Sequence, residues 1–327
     1  MKAILVNDDR SLRYDTVPDP VLGAEDCLIK IEAAALNRAD LMQREGDYPP
    51  PAGCPEWMGL EIAGEIVEMG EIAKEKSSYQ LGDKVCALLG GGGYAQYANV
   101  KYDMLMPVPK GCTTIEAAAI PEAFATAYLN LFIEGKMKAG DTLLMHAGAS
   151  GLASVVIPMA KAFGARVITT VLSDELKEKI AHLGADVVIN TKKEDIADAL
   201  RREMEAGHPV DVAIDCLGGE MMGRSLPYLS HGARWIMIAA LAGRMTEIDL
   251  KTVYVKNVRI IGSTLRSRTP KVKAEILASI VREVYPKIES GEVRPTVYKT
   301  LPIEEAEAAH DILYRGENVG KVVLTVK

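Results

Sequence analysis

The chain has 327 residues, 48% of them apolar and 25% charged, proportions that exclude global disorder, a fibrous repeat and a disulfide-stapled miniprotein. Thirty-eight basic against forty-five acidic side chains leave a net charge of −7, which argues against nucleic acid as a partner. At roughly 150 residues per domain the length predicts two domains.

The opening segment MKAILVNDDR reaches Asp8 too soon to hold the apolar region of a signal peptide, so the cytoplasm is the expected location. Over the first 120 residues the apolar positions alternate in runs such as CLIKIEAAAL and LEIAGEIVEMG, punctuated by YPPPAGCP and GGGGY. This pattern predicts a mostly antiparallel β domain. Cys27, Cys54, Cys86, Cys112 and Cys216 form no C-x-x-C pair. That spacing argues against a structural zinc cluster, and the odd number suits a reducing compartment.

From residue 142 the pattern changes. Apolar β-type runs start at 142, 166, 186, 211, 233 and 259, separated by 24, 20, 25, 22 and 26 residues. Between them lie helix-like stretches such as LSDELKEKIAHLGA and EDIADALRREMEA. Continuous apolar strands alternating with helices imply a doubly wound parallel sheet. The uncharged stretch 142–160 is long enough to span a bilayer, but Gly148, Gly151, Pro158, two serines and His146 make it a buried strand, turn and helix instead. No membrane segment is expected.

After residue 270 come an amphipathic segment, KVKAEILASIVREVYPKIESG, a short helix, IEEAEAAHDILYRG, and a last strand, GKVVLTV. Six parallel strands leave that last strand no place, so it is expected to return to the first domain. The predicted boundaries are 1–122 with 267–327 for the β domain, and 123–266 for the inserted parallel domain.

The first parallel strand runs into His146-Ala147-Gly148-Ala149-Ser150-Gly151-Leu152-Ala153. Aligned with the dinucleotide fingerprint G-x-G-x-x-G, this gives Gly148, Ser150 and Ala153, so only the first glycine is kept. The context of strand, turn and helix at the head of six repeats carries the assignment. The N–H groups of Ser150, Gly151 and Leu152 are candidates to hold a pyrophosphate, and the Ser150 hydroxyl a further donor. An ordinary tight turn is the plain alternative. A nucleophile elbow needs glycine at Leu152, and a P-loop needs Gly-Lys-Ser/Thr, so both fail. Pro158 falls inside the following helix, where it removes a hydrogen bond.

Strand two ends at Leu172-Ser173-Asp174, with Lys177 one turn on. An acid at the strand tip selects a free ribose 2′-hydroxyl, whereas serine or a cation suits a 2′-phosphate. Ser173 and Lys177 therefore favour NADPH, and Asp174 is the element that would admit NADH. A helix N-cap for Ser173 and a solvated face for Lys177 are the alternatives.

LNRADLMQREGDYPPP at 36–51, GLEIAGEIVEMG at 59–70, AAAIPEAFATAY at 117–128, HAGASGLA at 146–153 and NVGKVVL at 318–324 resemble the zinc-independent quinone oxidoreductases of the medium-chain dehydrogenase/reductase superfamily, the p53-inducible type most. The resemblance covers nearly the whole chain. It implies a GroES-like catalytic domain split around a Rossmann domain that binds NADPH, in subunits that form homodimers. Zinc-dependent relatives carry Cys where this chain has Asn37 and Gly-His-Glu where it has Gly59-Leu60-Glu61, so two ligand positions lack a thiolate or imidazole and no zinc is expected.

By the same resemblance Asn37 and Tyr48 are the catalytic candidates near the nicotinamide. A turn-stabilising asparagine and a half-buried aromatic are the alternatives. Asp40 and Glu61 are read as structural carboxylates. Thr126, Leu217, Leu241, Leu265 and Asn318 join the cofactor contacts implied by the family. Two departures stand out: Thr191 where many relatives have a tyrosine against the adenosine phosphate, and Met42 where some have tyrosine.

The expected chemistry is hydride transfer from NADPH to a quinone or related conjugated carbonyl, with Tyr48 and Asn37 donating to the developing oxyanion. Two alternatives stay open. One is reduction of an enone or enal double bond; the other is a noncatalytic nucleotide-binding sensor or scaffold, since fold does not fix function.

Overall fold

The computed structural model describes residues 1–327. The chain divides into two compact units. The first comprises Met1–Ala125, Arg268–Gly291 and Pro295–Lys327, and the second Thr126–Ser267 with Glu292–Arg294.

In the first unit a two-stranded antiparallel sheet pairs β1 (Lys2–Val6) with β2 (Leu12–Thr16). The main sheet contains β3 (Asp26–Ala35), β4 (Glu61–Met69), β5 (Lys84–Leu88), β6 (Tyr97–Lys101), β7 (Leu105–Pro107), β14 (Val297–Pro302) and β15 (Lys321–Thr325). Its order is β14-β15-β3-β4-β5-β7, with β6 also pairing with β3. All its pairings are antiparallel except β14 with β15.

Alternation explains β3. Cys27, Ile29 and Ile31 are buried while Lys30 faces solvent, as a half-covered strand requires. Ala33, Ala34 and Ala35 are all buried, because here small side chains pack on both faces. The core gathers Ile4, Ile29, Ile62, Ile66, Tyr94 and Leu324. At roughly 25 cal/mol per Å² of apolar area removed from water, each such side chain contributes about 2 kcal/mol.

The second unit is a six-stranded parallel sheet of β8 (Thr142–Met145), β9 (Arg166–Val171), β10 (Val187–Asn190), β11 (Val210–Asp215), β12 (Leu229–Met237) and β13 (Arg259–Gly262). The order is β10-β9-β8-β11-β12-β13. Counted from its own first strand this is 3-2-1-4-5-6, the order of a doubly wound dinucleotide domain. All four residues of β8 are buried, as expected for a central strand covered on both faces. Strand β12 begins at Leu229, earlier than its apolar run predicts, and β13 ends at Gly262, earlier than RIIGSTL predicts.

Residues 142–160 form β8, a turn and part of the helix Ala153–Ala162. No helix is long and apolar enough to cross a membrane. The long C-terminal segment is helical over Pro270–Ser279, widens to π geometry over Ile280–Val284 and continues over Tyr285–Glu289. Pro286 gives the reason: it has no N–H to donate and its ring crowds the carbonyl four residues back, so the preceding turn widens.

Candidate active site

Five segments of the first unit converge on a buried polar network. Asn37 precedes the helix Arg38–Glu45 in extended conformation, as an N-cap does, yet its side chain makes no cap bond. Instead Asp40 reaches back to the Asn37 N–H at 2.7 Å. The same carboxylate accepts the Gly59 N–H at 3.1 Å and the Tyr94 hydroxyl at 3.0 Å. Gly59 has φ +106°, and a Cβ there would lie 2.5 Å from the Tyr94 nitrogen, so only glycine fits this close crossing.

Complete burial pushes Asp40 up to about 6, although the N–H groups of Asn37 and Gly59, the Tyr94 hydroxyl and Lys321 all favour its charged form. Tyr94 is raised well above its ordinary value by burial and by Asp40. The ring of His310 meets Tyr94 edge-on at 5.9 Å. Burial holds His310 down to about 3, so it packs as a neutral ring.

Freed from capping, the Asn37 amide joins Glu61 and Lys321. Lys321 Nζ lies 2.7 Å from Glu61 Oε1 and 2.6 Å from Asn37 Oδ1. Asn37 Nδ2 donates to Glu61 Oε1 at 3.1 Å and, weakly, to the Ala35 carbonyl at 3.4 Å. The second Glu61 oxygen accepts the Glu122 N–H at 2.8 Å, at the start of the helix Pro121–Tyr128. Burial, and then the neighbouring Glu61 charge, push Glu122 up to about 7.

Of the residues singled out in the sequence, Asn37, Asp40 and Glu61 are thus gathered in one network. Tyr48 lies half-buried in the loop after the helix Arg38–Glu45. Asn318 closes a local turn, donating to the Gly320 carbonyl at 2.6 Å. Sequence reasoning missed Lys321, Tyr94 and Glu122. Lys321 carried one usable signal, a lysine heading the apolar run VVL.

In the second unit the turn after β8 is built around Ala147, at φ +56°, and Gly148. The Gly148 N–H donates to the Thr170 carbonyl at 2.8 Å, and a Cβ on Gly148 would meet Thr169 Oγ1 at 2.4 Å. The fingerprint's first glycine is therefore required by the approach to β9. One expectation needs correction: the Ser150 N–H is not free, because the left-handed Ala147 curls the turn so that it donates to the Ala147 carbonyl at 2.9 Å. The Ser150 hydroxyl oxygen accepts the Ala153 N–H at 3.1 Å, tying the turn to the first residue of the helix. The N–H groups of Gly151 and Leu152 have no acceptor in the chain and precede the ten-residue helix Ala153–Ala162. They remain candidates for an anion.

Beneath this turn His146 shares a hydrogen bond between Nδ1 and Thr170 Oγ1 at 3.1 Å, and its ring centre lies 5.8 Å from that of Trp235. Burial lowers its pKa, opposed by the Asp215 charge. Asp215 accepts the N–H groups of Leu217 and Gly218 and the indole N–H of Trp235. This bends the chain after β11 so that Leu217 pairs with Ala242 at 2.7 Å, beside the exposed Leu241. Leu265 is buried. The Thr126 carbonyl accepts from Asn130 at 2.8 Å.

Ser173 caps the helix Asp174–Lys179, accepting the Leu176 N–H at 3.2 Å. Lys177 is exposed on that helix. The Asp174 carboxylate is taken up by Lys193 and by Asn190 Nδ2 at 2.7 Å, and these two, Lys193 foremost, lower its pKa. Thr191 donates back to the Val171 carbonyl at 3.3 Å.

For zinc the donor set does not fit. Asn37 is enclosed by its own network, Leu60 is a buried hydrocarbon, and no group of three or more His, Cys, Asp or Glu side chains is placed to hold a metal ion. For a dinucleotide the donors do fit: a glycine demanded by close packing, two unpaired amides and a helix behind them, at the head of the first parallel strand.

A split β unit joined to a doubly wound parallel unit defines an oxidoreductase of the medium-chain dehydrogenase/reductase type. Residues 23–110 match the alcohol dehydrogenase GroES-like domain and residues 151–281 the zinc-binding dehydrogenase domain. The quinone oxidoreductase of Mus musculus is 30% identical over 308 residues, covering 93% of this chain and 90% of that protein. That of Homo sapiens is 28% identical, covering 96% and 92%. A mycobacterial quinone oxidoreductase structure superposes with TM-score 0.85 at 27% identity, over 99% of each chain. A 2-haloacrylate reductase structure gives 0.83 at 25% identity, also over 99% of each. The chain belongs to the quinone oxidoreductase family of the medium-chain dehydrogenase/reductase superfamily.

Proposed function

We propose that this protein is an NADPH-dependent, zinc-independent reductase of quinones or related conjugated carbonyls. The observation that carries the reading is the pair of unpaired amides at Gly151 and Leu152, ahead of a ten-residue helix on the first strand of a 3-2-1-4-5-6 sheet. A mycobacterial relative, 27% identical, has been solved in complex with NADPH, which supports the choice of cofactor. When bound, that cofactor supplies the hydride equivalent.

The chain's own residues then have four tasks. Gly148 lets the backbone approach, and the Gly151 and Leu152 N–H groups hold the pyrophosphate. Ser173, Lys177 and Lys193 receive the 2′-phosphate, with Asp174 neutralised by Lys193. Thr126, Leu217, Leu241 and Leu265 support the nicotinamide half. Tyr48 donates to the acceptor's developing oxyanion, and Asn37 adds the N–H whose partner at Ala35 is distant, at 3.4 Å. Asn318 offers the cofactor its amide oxygen and second N–H, the first being given to the Gly320 carbonyl.

A second reading, reduction of an activated double bond, is favoured by the likeness to the 2-haloacrylate reductase. We further propose a homodimer formed through β13, an edge strand with an exposed Ile260, beside the exposed Leu250, Tyr254 and Val255. The test is a panel of quinones and enones with NADPH and NADH, following cofactor absorbance and identifying each product. Hydroquinone formed with NADPH is expected, and a saturated carbonyl selects the second reading. Cofactor binding without acceptor-dependent oxidation overturns both in favour of a noncatalytic sensor or scaffold.

A further inference from the structure

Lys321, Glu61 and Asn37 close a triangle: ammonium to carboxylate 2.7 Å, ammonium to amide oxygen 2.6 Å, amide nitrogen to carboxylate 3.1 Å. We propose that Lys321 is a positioning residue that sets and locks the orientation of the Asn37 amide. The effect on turnover rests on the reductase reading; the effect on the amide does not.

Donor and acceptor chemistry forces the orientation. An ammonium can only donate and a carboxylate can only accept. An asparagine held between them must turn its oxygen to Lys321 and its nitrogen to Glu61, since the flipped amide would set NH₂ against NH₃⁺ and oxygen against oxygen. This logic fixes which end of the amide is oxygen and which nitrogen, from the partners alone. Neutral neighbours would tolerate both orientations.

The frame around the triangle is rigid. Glu61 is held from its other oxygen by the Glu122 N–H at 2.8 Å, so the carboxylate cannot swing with the amide. Asp40 accepts the Asn37 backbone N–H at 2.7 Å, and the Asp40 N–H that an N-cap side chain would take donates to the Asn37 carbonyl at 3.0 Å, so the Asn37 amide oxygen is left to Lys321. Lys321 heads β15, which pairs with β3 immediately before Asn37, so ammonium and amide are brought together by the central strands of one sheet.

Stability alone does not account for this arrangement. Lys321 is 4% exposed and Glu61 fully buried. Desolvating two charges costs about as much as their attraction returns, and apolar residues of similar volume often serve equally well. What an apolar pair cannot do is dictate the direction of a neighbouring amide. With its oxygen and one N–H committed, Asn37 keeps a second N–H whose nearest acceptor, the Ala35 carbonyl, is 3.4 Å away. That N–H is thereby held in a fixed direction for a ligand oxygen to compete for.

The experiment uses the full chain labelled with ¹⁵N-asparagine. The seven asparagines give seven side-chain pairs, and Asn37→Asp identifies the pair of interest. In the wild type the two Asn37 protons should be widely separated in shift, with the Glu61-bonded one protected from exchange. Lys321→Met should collapse that separation and reduce protection by roughly tenfold or more, and Lys321→Arg should preserve both. Should Lys321→Met fold poorly because Glu61 is left unpaired, the double variant Lys321→Met/Glu61→Gln removes both charges and still lacks the lock.

The double variant is expected to lose the wild-type amide signature and to turn over about tenfold more slowly, with KM for the acceptor and NADPH affinity little changed. Wild-type Asn37 signals in the double variant overturn the proposal, as does full recovery of turnover there. If no form reduces any acceptor, the reductase reading fails, while the amide signals still decide the role of Lys321.

Discussion

Glu122 offers a test of the network that needs no substrate. Burial and the adjacent Glu61 charge raise it from an ordinary 4.5 to about 7. The sign follows from proton linkage. Between those two values the folded protein holds a proton that the unfolded chain releases, so this contribution to stability is full below about pH 4.5 and is lost as pH rises to about 7. The difference of 7 − 4.5 = 2.5 units corresponds to an upper limit of about 3.4 kcal/mol, and to less in water because the Glu122 side chain is only partly covered.

Asp40, raised to about 6, acts in the same direction, so the comparison must cancel it. Glu122→Gln does so, because it keeps a neutral side chain at one position and leaves Asp40 in place. At about pH 5.75, midway between the two values, the folded wild type holds roughly 0.95 of a proton at this site and the unfolded chain roughly 0.05. Unfolding by urea in a pH-stat should therefore release about 0.9 proton more from the wild type than from Glu122→Gln. Across pH 4.5 to 7 the wild type should lose stability relative to the variant, with no further divergence above pH 8. Equal proton release from the two proteins would falsify the assignment of a raised Glu122.

Other outcomes follow from the proposed site and interface. Tyr48→Phe should lower kcat by about a hundredfold with NADPH affinity held within about twofold, measured by steady-state kinetics and fluorescence titration; unchanged turnover across several quinones removes the oxyanion role. Lys193→Ala leaves the Asp174 carboxylate without its cation, held only by Asn190, and the ratio of NADH to NADPH dissociation constants should move toward NADH by roughly tenfold; an unmoved ratio shows that Lys193 does not meet the 2′-phosphate. Ile260→Arg places a charge on the open edge of β13 and should give monomers by light scattering, with dimers persisting only if the contact lies elsewhere. Prolonged dialysis against a chelator should leave quinone reduction unaltered, and a loss restored by zinc would contradict the metal-free mechanism.

Much of the architecture was legible in the sequence. Six apolar runs at intervals of 20 to 26 residues announce a parallel doubly wound sheet, because only strands covered on both faces can be apolar without alternation. The alternating runs of the first 120 residues announce an antiparallel one for the complementary reason. The widened helix at Ile280–Val284 was not legible as a pattern, although Pro286 supplies its cause.

Site residues divide along the same line. Asn37 and Glu61 were marked by the motifs around them, and Gly148 by its place after the first parallel strand. The Ser150 N–H was misjudged because its fate depends on Ala147 adopting φ +56°, a backbone choice that an alanine does not advertise. Lys321 stands 284 residues from the asparagine it contacts. No local periodicity or spacing can report a bond between the two, because it exists only once β15 has been laid beside β3. The sequence by itself determined which strands form and how their helices cover them, since both follow from local apolar pattern. Only the tertiary structure decided which buried charges meet, because desolvation leaves a buried lysine stable only where distant strands bring a carboxylate to it.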